Sequence, residues 1–67
     1  MKPVKSSNIE AIGYDEETKR LSIQFKSGGT FHYANVPASI YEKLMAAESI
    51  GKYFQAHIRS QFTATRA

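Results

Sequence analysis

The residues with the clearest chemical potential fall into three sets: the aromatic pair Phe31 and Tyr33, the basic series Lys52, Arg59 and Arg66 at intervals of seven, and the histidines His32 and His57. An aromatic pair on one strand shares a face because side chains repeat every two residues, and exposed rings so placed are a platform on which unpaired bases stack. Basic residues seven apart form one stripe on a continuous helix, rising ~10 Å per interval, and arginine grips phosphate oxygens with a two-pronged fork. The candidate nucleic-acid contacts are therefore Lys26, His32, Lys52, Arg59 and Arg66. The histidines have no cysteine and no carboxylate pattern beside them, so neither a metal site nor another cofactor is implied. No glycine-rich phosphate loop, nucleophile elbow or matched carboxylate pair occurs, and Asp15-Glu16-Glu17 reads as a solvated turn, so no catalysis is expected. A cavity of the several hundred Å3 typical of small-molecule sites is not expected from so small a core.

Such residues must be positioned by a single domain, residues 1–67, because small chains bury a smaller share of their surface and the core is limited to about a dozen side chains. Without cysteine, the fold depends on 42% hydrophobic residues, eight of them aromatic. A formal charge of +3 permits contact with phosphate, and with three acids gathered at Asp15-Glu16-Glu17 the rest of the chain is more basic than the total. The N-terminal residues lack the apolar stretch of a secretory signal and no run is long enough to span a bilayer, so a cytoplasmic location without membrane contact is expected.

Along the chain, residues 1–7 read as an extended, fraying lead-in. Ile9 to Tyr14 suits a strand whose inward face the sequence leaves open, whereas Leu21-Ser22-Ile23-Gln24-Phe25-Lys26 alternates strictly between apolar and polar. Gly28 and Gly29 supply the positive φ of a tight hairpin, turning the chain back into Thr30 to Ala34. Val36-Pro37 then ends the strand and opens a helix at Pro37, or just after Ser39 if Ser39 and Glu42 form a capping box. Ser49 caps a second helix, in which Ile50, Phe54, Ile58 and Phe62 recur every four residues; residues 63–67 carry no apolar stripe and are expected to fray. The fold class is α+β: a three-stranded antiparallel meander followed by two C-terminal helices packed on one face.

The structural alternatives weigh against the sharper readings. In so small a domain, Phe31 and Tyr33 serve better as core beneath the helices, with Leu21, Ile23 and Phe25, than as an exposed platform. The opposite face would then carry Ser22, Gln24, Lys26, Thr30 and His32, with Ala11 and Gly13 if Ile12 and Tyr14 point inward, and an ordinary solvated face suits it. The basic stripe is also what solubility alone produces on a helix, and it requires Arg66 to be helical.

Ser6-Ser7-Asn8-Ile9, the central Phe31-x-Tyr33, Val36-Pro37-x-x-Ile40-Tyr41-x-x-Leu44 and Ser49-x-Gly51-x-Tyr53-Phe54-x-x-x-Ile58-Arg59 together resemble the KTSC domain. The resemblance runs from about Lys5 to Arg59; that family has Tyr-x-Tyr at its centre, and Phe31 departs from it, which favours a packing ring over a bonding hydroxyl. The family occurs at the C-terminus of some lysyl-tRNA synthetases and as stand-alone bacterial and phage-borne proteins. It implies a non-catalytic binding module with RNA as partner, which charge alone would not distinguish from any other polyanion. A protein-interaction module is the alternative: a small bacterial or phage factor docking a host protein through an open sheet edge. The same edge would allow a monomer to form a weak dimer.

Overall fold

The computed structural model describes residues 1–67. Its centre is the meander β2 (Ile9–Asp15), β3 (Arg20–Phe25) and β4 (Thr30–Tyr33), followed by helices α1 (Ala38–Ala46) and α2 (Ile50–His57). Two further strands, β1 (Lys2–Pro3) and β5 (Ala64–Arg66), complete a five-stranded antiparallel sheet in the order β1-β2-β3-β4-β5. The α+β class holds, and the sheet has five strands instead of three. Both segments expected to fray contribute an outer strand: Lys2 pairs with Ile12, and Phe31 with Arg66. The Val4 amide donates to the Glu10 carbonyl and the Ala67 amide to the Thr30 carbonyl, so backbone pairing, which side-chain periodicity does not report, joins both ends to the sheet, with Val4 also packed against the core.

The open question of which face of β2 points inward is resolved by a bulge. Ile9 opposes Phe25, whereas Ala11 opposes Gln24 and Ile12 opposes Ile23, so the register shifts across Glu10. One extra residue brings Ile9, Ile12 and Tyr14 to the same face, which a regular strand cannot do. There Ile9 and Ile12 join Leu21 and Ile23 of β3, Tyr33 of β4, Val36, and Leu44, Phe54 and Ile58 from the helical side in one buried cluster, with Tyr14 packed against it. Both helices cover this face. Tyr14 stacks on Tyr41 of α1 at 4.8 Å and its hydroxyl donates to the Val36 carbonyl, fixing the end of β2 to the entrance of the helix.

Pro37 stands at the N-cap of α1, its carbonyl accepting from the Ile40 and Tyr41 amides, and no side chain caps this helix. Ser39 and Glu42 thus lie within its first turns and form no capping box. Ser49 caps α2 as expected, accepting from the Lys52 amide. The helix ends at His57, short of the predicted stripe; Gln61 and Phe62 donate to the Ile58 carbonyl in a turn, and Phe62 packs against the core from there. No helix is long and apolar enough to cross a membrane.

Candidate functional site

Concave surface occurs where three stretches distant in sequence meet. The first is the turn before β2, in which the Ser6 hydroxyl accepts from the Asn8 and Ile9 amides at 3.3 Å each. Short hydroxyl side chains form such local bonds readily, and here the bond presents Ser7 and Asn8 outward. The second is the β3–β4 hairpin, closed by the Phe25 amide on the Gly29 carbonyl, with Gly28 and Gly29 at φ of 98° and 96°. These angles are those glycine adopts at no steric cost. The Lys26 amide donates to the Asn8 carbonyl at 2.8 Å and ties the hairpin to the turn. The third is α2 with the residues just beyond it, as Gly51, Gln55 and Arg59 face the same space.

The resulting pocket has a volume of about 560 Å3. Its floor is Ile9, Phe25, Phe31 and Phe54; its polar wall includes Ser7, Asn8 and Gln55; and its cations are Lys26 and Arg59. No acidic residue lines it. The rings support one another edge to face, Phe25 lying 5.7 Å from Phe31 and 5.6 Å from Phe54, with Tyr33 5.5 Å from Phe54. Such T-shaped packing is a favoured aromatic arrangement and stiffens the floor. Burial pushes the Tyr33 phenol above its usual pKa, and the Arg59 guanidinium acts in the opposite direction.

A pocket thus forms although so small a core was not expected to yield one. The space is not hollowed from the core; it lies between a hairpin, a turn and a helix that lean on the core's edge. Phe31 and Tyr33 both pack, but in the reverse of the expected order: Phe31 is the surer core ring by sequence and Tyr33 the one expected near the rim. Tyr33 is 5% exposed and belongs to the buried cluster, whereas Phe31 is half-buried and packs on it while forming part of the pocket floor.

The five candidate contacts are divided by the fold. Alternation assigns Lys26 to the open sheet face, but β3 ends at Phe25, and the bond to Asn8 brings Lys26 to the helix-side pocket. Arg59 lines the same pocket. Lys52 is exposed on α2 immediately after Gly51. Arg66 is not helical, so the stripe Lys52, Arg59, Arg66 does not exist as a helical row; β5 instead seats Arg66 opposite Phe31, on the sheet face that the helices cover. His32 lies on the other face, where its Nδ1 is 2.6 Å from the Ser22 hydroxyl. Between Gly13 and Thr65, its cross-sheet neighbours one strand further on each side, this pair makes a flat polar row.

Gln55 and Gly51 were not expected in a site, whereas Ser6-Ser7-Asn8 suits a local hydrogen-bonding turn first, which the Ser6 bonds form, and an RNA contact second. Ser6-Ser7-Asn8 is conspicuous in the sequence, but only the irregular bond from Lys26 shows that it borders a pocket.

The sequence profile of the KTSC domain matches residues 5–62, most of the chain. The protein belongs to the KTSC family. A KTSC domain protein from Yersinia pestis, known from its crystal structure, is 38% identical, with a TM-score of 0.96 over 98% of this chain and 93% of that one. A protein from Tsukamurella paurometabola is 41% identical over 96% of each chain. The lysine–tRNA ligase of a Nostoc species is 39% identical over 92% of this chain, which corresponds to 11% of that enzyme. Sequences like this one therefore occur both at about this size and as a small part of a lysine–tRNA ligase.

Proposed function

We propose that this KTSC domain is a non-catalytic RNA-binding module whose contact surface is the pocket and the basic residues around it. The observation that carries the reading is the convergence of Lys26 and Arg59, 33 positions apart in sequence, on one acid-free pocket with an aromatic floor. Cations without competing carboxylates suit a phosphate, and aromatic surface beside them suits a base. Likeness to a segment of a lysine–tRNA ligase favours RNA over other polyanions. The protein-interaction alternative draws less support, because the edge strands are two and three residues long and Pro3, in one of them, has no amide to donate.

The test is binding of tRNA and of single-stranded RNA across a salt series. If phosphate neutralisation dominates, the slope of log affinity against log salt flattens by roughly 0.7 for each phosphate left without its cation, hence by about 1.4 in the double variant Lys26→Ala, Arg59→Ala. Absence of binding at low salt, or an unchanged slope in the double variant, would count against the proposal.

A further inference from the structure

The pocket is small and particular, and its shape says which part of an RNA it suits. We propose that it takes one unstacked nucleotide, with the base against the exposed surface of Phe31 and Phe25 and the adjoining phosphate between Lys26 and Arg59. The protein would thereby recognise unpaired positions in preference to duplex. This inference rests on the RNA-binding reading and deepens it.

Size is the first ground. About 560 Å3 falls within the range of sites that enclose small molecules, and it suits a base with its sugar and phosphate. An A-form duplex keeps its base faces stacked and presents phosphates and 2′-hydroxyls over a broad surface, so it has nothing to insert. Composition is the second. Apolar ring surface at the bottom, two amides at the side and two cations without an acid follow the division of a nucleotide into a flat base, hydrogen-bonding base edges and an anion. The amides of Asn8 and Gln55 can each donate and accept, as reading a base edge requires.

Gly51 is the third. It lies in the first turn of α2 and lines the pocket, yet neither its backbone nor its packing demands glycine. Its φ is not positive, and a Cβ there would meet only the Ser6 hydroxyl, at the ordinary contact distance of 3.5 Å. Glycine is a weaker helix former than alanine. What it does leave is a helix wall without a side chain at the edge of the pocket, beside Ser6.

The experiment is a nuclear magnetic resonance titration of the full 67-residue chain with AMP, adenosine and inorganic phosphate. AMP is expected to shift the signals of Asn8, Phe31, Gly51 and Gln55, with adenosine and phosphate each binding about tenfold more weakly. Gln55→Glu, at an exposed position one turn before Arg59, should lose about tenfold in AMP affinity, since the carboxylate removes an amide donor from the base edge and repels the phosphate. Gly51→Leu should lose at least as much by crowding the helix wall of the pocket; should that variant not fold, Gln55→Glu decides. No shifts up to about 10 mM AMP, or shifts centred on Ser22 and His32, would overturn the proposal. A single-stranded RNA should also bind about tenfold better than a duplex of equal length. RNA binding with no such preference and no loss in Gln55→Glu would sink the pocket and leave the RNA module standing. AMP in the pocket with no RNA binding would do the reverse.

Discussion

The two faces of one sheet differ in nearly every respect that bears on recognition. The helix-covered face is apolar and curved and ends in a pocket with a ring floor and two cations. The open face is flat and polar, with Gly13, Ser22, His32 and Thr65 in a row and one hydrogen bond between side chains. Both are made by the same strands, and alternation along each strand sends its residues to opposite fates. Binding surface here follows from where helices stop covering the core, because at that margin rings stay partly exposed and loops can add charge. Away from β2, where Met1 lies against Gly13 and Ala11 is buried, the open face stays hydrated and offers a ligand little that water does not.

The sharpest way to break this comparison is to remove the ring shared by core and pocket. Phe54 is 4% exposed and contacts both Phe25 and Tyr33, so Phe54→Ala should destabilise the fold by about 3–5 kcal/mol, a large share of what so small a domain possesses. Urea unfolding measures it, and a cost under ~1 kcal/mol would mean that the covered face is not the structural one.

A smaller effect separates the faces by pH. Loss of solvation raises the pKa of Tyr33 and of Tyr14, the latter further raised by Glu16 and Asp15. A phenol whose folded pKa exceeds its unfolded value of 10.0 contributes stability that is full below that value and is lost as pH rises through the folded pKa. Thermal unfolding from neutral pH upward should therefore show stability falling above about pH 10, less steeply in Tyr33→Phe. An identical decline in that variant would refute the assignment to Tyr33.

The smallest effect belongs to the open face. Ser22→Ala removes the 2.6 Å bond to His32 at a half-buried position, and the expected loss is about 0.5–1.5 kcal/mol with no change in RNA affinity. A loss of RNA affinity in this variant would erase the distinction between the faces.

Much of the architecture was legible before folding was considered. The strict alternation of Leu21 to Lys26, the paired glycines and Val36-Pro37 announced β3, the hairpin and the start of α1, because each is a local signal with a local cause. The outer strands were not legible, since Lys2-Pro3 and Ala64-Thr65-Arg66 pair through backbone groups that every sequence possesses. Of the candidate site, Lys26 and Arg59 were visible as charges, while their meeting was not.

By itself the sequence determined the elements, the ring-rich core and the modest positive charge, all properties of neighbouring residues or of composition. Only the tertiary structure decided that a bulge at Glu10 would align Ile9 with Ile12, that Arg66 would lie beside Phe31, and that the Asn8 carbonyl would capture Lys26. Each of these joins groups far apart in the chain, or depends on one residue of register, and side-chain periodicity carries no information about either.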